Sequence, residues 1–165
     1  MRGSWVKIAI VKIEYLREHS RWIPTIARWF YNEWREFHPE LDVNGIAERL
    51  GERCNTDIIP LALVAIEQGE IIGTISLKKH DMDTRMQYSP WLASLYVRKD
   101  SRNKGIGLKL IEAGIEKAGT LGINHLYLYT RVRKHVDFYV SRDWQFVETT
   151  DYRGGPVTVL LKTLH

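Results

Sequence analysis

Apolar positions in this chain change period several times, and each change marks an element. Val6, Ile8 and Ile10 alternate with Lys7 and Ala9, then Val11, Ile13 and Tyr15 continue in the opposite phase. This predicts a first strand within residues 6–16, with a bulge at the phase change. Pro24 suits a first helical turn, after which Ile23, Ile26, Ala27, Phe30, Trp34 and Phe37 follow spacings of three and four up to His38-Pro39. A second helix is predicted over residues 43–53, with Ile46, Leu50 and Cys54 on one side. Residues 61–66 and 71–77 are β-rich and flank Glu67-Gln68-Gly69-Glu70, which predicts a hairpin. A polar loop over 80–89 leads to Pro90, which opens a strand over 91–97, where its missing N–H does no harm. Leu108, Ile111, Ile115 and Ala118 restore helical spacing as far as Leu121, with Gly122 as the stop. A strand over 123–129, a short helix over 134–142 and strands over 144–150 and 156–164 around Gly154-Gly155 complete the order βααβββαβαββ. That alternation is a mixed α/β (α+β) sheet.

Length and composition narrow the classes. The 165 residues contain no repeat, linker or low-complexity tract, so residues 1–165 read as one domain. Charged residues at 27% against 44% hydrophobic ones exclude a disordered chain. The single cysteine, Cys54, excludes an internal disulfide or a zinc cluster and points to a reducing, cytoplasmic setting. The longest apolar run, residues 58–66 broken at Pro60, is far short of the ~20 residues of a membrane span, so no membrane partner is expected. Met1-Arg2-Gly3-Ser4 is not a signal peptide and reads as an expression remnant or a disordered start. A net charge of +4, from 24 Lys and Arg against 20 Asp and Glu, is too mild for a nucleic-acid binder but suits an anionic cofactor.

That charge gathers at one turn. Residues 97–108, Val-Arg-Lys-Asp-Ser-Arg-Asn-Lys-Gly-Ile-Gly-Leu, join a buried strand to a helix start. Gly105 and Gly107 let the backbone aim several N–H groups at one point, the helix dipole adds partial positive charge, and Arg98, Lys99, Arg102 and Lys104 stand beside them. Such a turn would bind a diphosphate. The glycines alone leave open a solvated basic turn. A Rossmann turn needs glycine directly after the strand, a third glycine where Leu110 stands, and an acid where Tyr129-Thr130 stands. The stretch 114–120 mimics P-loop spacing but lacks the lysine and does not open a helix.

Arg102-Asn103-Lys104-Gly105-Ile106-Gly107 resembles the signature of the GCN5-related N-acetyltransferase (GNAT) family: Arg or Gln, two residues, Gly, one residue, Gly or Ala. Trp91-Leu92-Ala93-Ser94-Leu95-Tyr96-Val97 is similar to that family's fourth strand, and Phe138-Tyr139-Val140-Ser141-Arg142-Asp143-Trp144 to its second landmark. The resemblance covers nearly the whole chain. It implies an acyl-CoA N-acyltransferase fold with splayed strands four and five, and acetyl-CoA as cosubstrate. The pantetheine arm would run along Leu95, Tyr96 and Val97, with the pyrophosphate on the amides of Arg102, Asn103, Lys104, Gly105, Ile106 and Gly107. It also implies Tyr139 as general acid toward the departing thiolate, and an oxyanion donor near Leu95 or Tyr96. The chain departs from the family pattern at Val132 and His135, where Asn and Ala are common, and at Asp143, where Gly is usual. Many relatives carry a strand-four glutamate where this chain has Trp91, which leaves His80, Asp81, Asp83 or a water chain to take the amine proton.

In that family, helices one and two and the loop before strand four wall the acceptor. Phe30, Trp34 and Phe37 read as a stripe packed on the sheet, whereas Trp29 and Tyr31 lie off it and could face a ligand, whose ammonium group Glu33 or Glu36 could meet. Glu33 and Trp34 are expected to line the pocket. The histidines show no metal-ligand spacing, so no metal is expected, and Cys54 reads as a plain thiol. The leading function is acetyl transfer to a primary amine of a small molecule, of the aminoglycoside, polyamine or amino-acid-derivative class. The alternatives are a protein N-terminal or lysine acetyltransferase and a non-catalytic CoA-binding or interaction module. Acidic loops would favour cationic small amines and an open groove peptides; a homodimer is compatible with each.

Overall fold

The computed structural model describes residues 10–165; the expected strand segment 6–9 and the opening four residues lie outside them. The elements are β1 (Val11–Tyr15), α1 (Ile23–Trp34), α2 (Val43–Gly51), β2 (Leu61–Glu67), β3 (Glu70–Lys78), β4 (Trp91–Val97), α3 (Ile106–Thr120), β5 (His125–Thr130), α4 (Arg133–Val140), β6 (Gln145–Tyr152) and β7 (Gly155–Thr163). This is the expected order βααβββαβαββ. A 3-10 segment, Leu16–Trp22, replaces the end of the predicted first strand and carries the chain into α1.

Local chemistry sets the boundaries. Pro24 lies in the first turn of α1, whose inner face is Ile26, Ala27 and Phe30. The helix ends at Trp34, earlier than the apolar spacing predicts, because His38 precedes a proline and so avoids the α region. The intervening residues close as tight turns, with Phe37 N–H and His38 N–H on the Trp34 carbonyl at 3.0 and 3.1 Å. Asp42 caps α2, its carboxylate accepting from Gly45 N–H at 2.7 Å. Strands β2 and β3 are buried almost throughout, which explains the unbroken apolar run of β2.

Seven strands form one sheet in the order β1-β2-β3-β4-β5-β7-β6, with β4 and β5 parallel and the other pairs antiparallel. On one face Leu92, Leu126 and Leu128 pack with Leu110, Ile111 and Ala118 of α3. The helix approaches closely: a Cβ on Gly114 would meet Leu92 Cδ1 at 2.7 Å. On the other face Ile26, Ala27 and Phe30 of α1 and Ile46 and Leu50 of α2 cover Val64, Ile66 and Tyr96. Beside them Trp91, Ala93, Val157 and Val159 pack under Met82 of the β3–β4 loop.

Two irregularities break the sheet at its centre. The β3–β4 register shifts between Thr74↔Tyr96 and Ser76↔Ala93, so β4 carries an extra residue there, and Ser94 takes φ +55°. Pairing between β4 and β5 is a single position, Trp91↔Tyr127, supported by Tyr127 N–H on the Pro90 carbonyl at 2.9 Å. Beyond it the two strands diverge, as expected from the resemblance.

Candidate active site

A cleft of about 810 Å³ opens where β4 and β5 part. It passes through the sheet. On the α3 side it is lined by Leu92, Ile111, Leu128 and Tyr139; on the α1–α2 side by Trp34, Arg53, Tyr129 and Tyr152. Ser94 and Leu95, at the bulge, lie at the crossing. A strand that loses its neighbour leaves backbone groups in need of partners. One is already filled by a side chain: Arg102 Nε donates to the Val97 carbonyl at 2.8 Å, and its guanidinium lies 5.2 Å from the Tyr96 ring centre.

The basic turn follows directly. After a 3-10 turn at Lys99–Ser101, Asn103 and Gly105 adopt left-handed φ of +62° and +80°, and Gly105 begins α3 with no side-chain cap. The first N–H groups of this 15-residue helix therefore face outward beside Arg102 and Lys104. A Cβ on Gly107 would approach only Val97 Cγ2, at 3.9 Å, which leaves the concavity open. The four cations grouped by sequence are not equivalent. Arg98 is bound to Asp100 at 2.6 Å and Glu70 at 3.2 Å, whereas Lys99, Arg102 and Lys104 pair with no carboxylate among the described residues.

Tyr139 projects from α4 between Phe138 and Trp144, with ring centres at 5.2 and 5.8 Å. Its place is set by the C-terminal turn of α4, where Trp144 N–H donates to the Tyr139 carbonyl at 3.1 Å and Asp143 takes the left-handed φ of +68° expected of a glycine. Burial raises the phenol pKa above its usual 10, so the hydroxyl is protonated at neutral pH. Tyr139 and the bulge thus line one cavity although 44 positions separate Tyr139 from Leu95 in the chain.

On the opposite side, Glu33, Trp34 and Tyr31 line the cleft, while Glu36 does not. Trp29, expected to face a ligand, instead stacks on Tyr96 with ring centres 5.2 Å apart. The one-residue offset from the α1 stripe is absorbed because the bulge turns Tyr96 toward the helix. Phe37, expected on the sheet, lies beyond the helix end and packs against the Arg131 guanidinium at 3.9 Å. Of the groups considered for proton removal, Asp81 is paired with Lys78 at 2.9 Å and Asp83 with Arg153 at 3.5 Å. His80 lines the cleft and, among the described residues, its buried Nδ1 has no partner.

Sequence reasoning missed three arginines here. Arg153, at the β6–β7 turn, reaches the Phe37 carbonyl at 3.1 Å, Glu40 at 2.9 Å and Asp83 at 3.5 Å, tying three separate loops across one end of the cleft. Arg131, after β5, donates to the Tyr152 carbonyl at 3.1 Å while its Nη2 is buried without a partner. Arg53 lies beneath α2, 8% exposed, and donates to Ser76 Oγ at 2.9 Å. Only Arg53 left a trace in the sequence: with Ile46 and Leu50 it completes an i, i+4, i+7 series on a core stripe.

The model of the acetyltransferase (GNAT) family matches residues 23–143. A putative acetyltransferase from Salmonella typhimurium, solved with its cofactor acetyl-CoA, superposes with a TM-score of 0.71 at 16% identity, covering 94% of each chain. A GNAT-family acetyltransferase from Streptococcus pneumoniae gives 0.69 at 18% identity over 94% of this chain and 100% of the other. An N-acetyltransferase from Thermoplasma acidophilum in complex with coenzyme A gives 0.66 at 22% identity over 93% and 99%. No curated protein sequence matches significantly.

Proposed function

Since the chain belongs to the acetyltransferase (GNAT) family, we propose that it moves the acetyl group of acetyl-CoA directly to a primary amine of a small molecule. The observation that carries this reading is the through-sheet cleft at the parting of β4 and β5, with the outward N–H groups of α3 beyond one end of β4 and Tyr139 on its wall. The residues fit the cosubstrate. The Val97 carbonyl, filled by a side chain, marks a strand edge that an amide-bearing pantetheine arm along Leu95, Tyr96 and Val97 would complete. The turn from Arg102 through Asn103, Lys104, Gly105 and Ile106 to Gly107 would hold the pyrophosphate. Solved structures of like fold are described with acetyl-CoA or coenzyme A bound, which supports the same assignment.

When bound, acetyl-CoA supplies a thioester carbonyl open to attack by an unprotonated amine. Backbone N–H donors at the Ser94–Leu95–Tyr96 bulge would stabilise negative charge on that oxygen. Tyr139, held protonated by burial, donates to the departing sulfur. His80, uncommitted where Asp81 and Asp83 are paired, accepts the amine proton directly or through water. The Arg153 bridge supports a small acceptor over a peptide, because an extended chain would have to leave through the end that it closes. Calorimetry with acetyl-CoA followed by thiol release over an amine panel tests the reading. Micromolar-range binding and amine-dependent thiol release are expected; absence of acetyl-CoA binding would overturn it.

A further inference from the structure

Arg53 is a buried cation without a counterion. It is 8% exposed, and among the described residues no carboxylate lies within 4.0 Å of its guanidinium. Its one side-chain hydrogen bond goes to a neutral hydroxyl, Ser76 Oγ, at 2.9 Å. Burial pulls its pKa below the ordinary arginine value, with Asp81 acting against that from a distance, so the charge is desolvated and poorly compensated. A buried charge is expected to be paired, and an unpaired one is costly. Arg53 nevertheless lines the cleft, with one nitrogen of its fork anchored on β3 and the rest of its donors unassigned.

The carboxylates of the cleft are not available to it. Asp81 is held by Lys78, and Glu40 and Asp83 by Arg153. Glu33 stands on the exposed face of α1. Arg131 repeats the pattern from the opposite wall: its contacts are an aromatic face and a carbonyl, and its buried Nη2 is unpartnered. The acceptor side is therefore walled by fixed, uncompensated guanidinium groups. A polycationic amine would be repelled there, and an amine with a negative group would complete the pairing.

We propose that the acceptor is an amine that also bears a carboxylate, and that Arg53 binds that carboxylate in the cleft. The assignment rests on the acetyl-transfer reading and narrows the aminoglycoside, polyamine or amino-acid-derivative class expected from the sequence to its carboxylate-bearing member. Arg53 is a specificity residue: it selects the acceptor and takes no proton.

The test uses the purified full chain with acetyl-CoA and matched amines: L-amino acids, their carboxamides, the decarboxylated amines and phosphoethanolamine. The carboxylate forms should be acetylated about 30-fold or more faster in kcat/KM than their carboxamides. Arg53→Met should erase that ratio while acetyl-CoA affinity by calorimetry stays within about twofold, since loss of a buried charged pair typically costs tens of fold or more only for the ligand that completes it. Arg53→Lys should restore part of the preference. Its melting temperature should hold or rise in Arg53→Met, because an apolar side chain replaces an unpaired buried charge; a purely structural arginine would give a marked fall. Equal rates for carboxylates and carboxamides, a preference for decarboxylated amines or for phosphoethanolamine, or a carboxylate preference that survives in Arg53→Met would each overturn the inference. Acetyl-CoA binding with no acetylation of any carboxylate-bearing amine would also overturn it and leave the acetyl-transfer reading standing. Failure to bind acetyl-CoA would instead remove that reading itself.

Discussion

At the residue scale the site depends on side chains whose protonation and space are set by their surroundings. Tyr139 is half-buried between two aromatic rings, and the resulting desolvation raises its pKa from 10. Tyr139→Phe keeps the packing and removes the proton, so kcat is expected to fall about 100-fold, with acetyl-CoA affinity unchanged by calorimetry. An unchanged rate in a chemistry-limited assay would remove the acid role. Because the folded pKa is raised, stability from the neutral phenol is complete below the ordinary tyrosine value and declines as pH rises beyond it. The alkaline limb of kcat should accordingly lie above pH 10 for this group. Gly107 makes the complementary case. A Cβ there meets only Val97 Cγ2 at 3.9 Å, so Gly107→Glu should fold normally, yet its carboxylate and bulk would occupy the concavity at the α3 N-terminus. Loss of acetyl-CoA binding with an unchanged melting temperature is expected.

At the scale of elements, the site exists because β4 is irregular. Its extra residue at the Ser94 bulge and its single-position contact with β5 together open the cleft. Gly73 of β3 allows the β4 chain to pass closely: a Cβ there would stand 3.0 Å from the Tyr96 carbonyl and 3.0 Å from Leu110 Cδ1. Backbone cannot yield as a flexible side chain can, so Gly73→Ala should cost about 1–3 kcal/mol by chemical denaturation. Because the displaced carbonyl lies on the strand edge proposed to take acetyl-CoA, a parallel loss of acetyl-CoA affinity is expected. Stability loss with full affinity would show that the bulge tolerates the shift.

At the scale of the whole molecule, residues distant in the chain close one end of the cleft. Arg153 of the β6–β7 turn holds the loop after α1 and the loop before β4 together, and His38 sits in the same junction, 3.6 Å from Glu40. Burial first, then the charge of Arg153, lowers the His38 pKa from 6.5. A depressed histidine pKa contributes stability above the unfolded value that is lost as pH falls through the folded one. Thermal stability should therefore decline below pH 6.5 in a step that His38→Gln removes. Arg153→Ala should raise the acceptor KM while leaving acetyl-CoA affinity intact, since its partners are all on the acceptor side.

The order of elements, most of their limits and the basic glycine-containing turn were legible in the sequence, because these depend on local periodicity, glycine placement and charge within a short window. Trp91–Val97, Gly105 and Gly107 could be read that way. The same locality explains the errors: apolar spacing carried α1 past Trp34, and it placed Phe37 on the sheet and Trp29 toward a ligand. Only the tertiary structure decided which charges are spent and which are left over. Arg98, Asp81 and Asp83 are neutralised by partners, whereas Arg53 is buried and Arg131 half-buried with its Nη2 buried, and neither meets a carboxylate among the described residues. Compensation of a charge depends on distance in space and on desolvation, and neither is written into the spacing of residues along a chain.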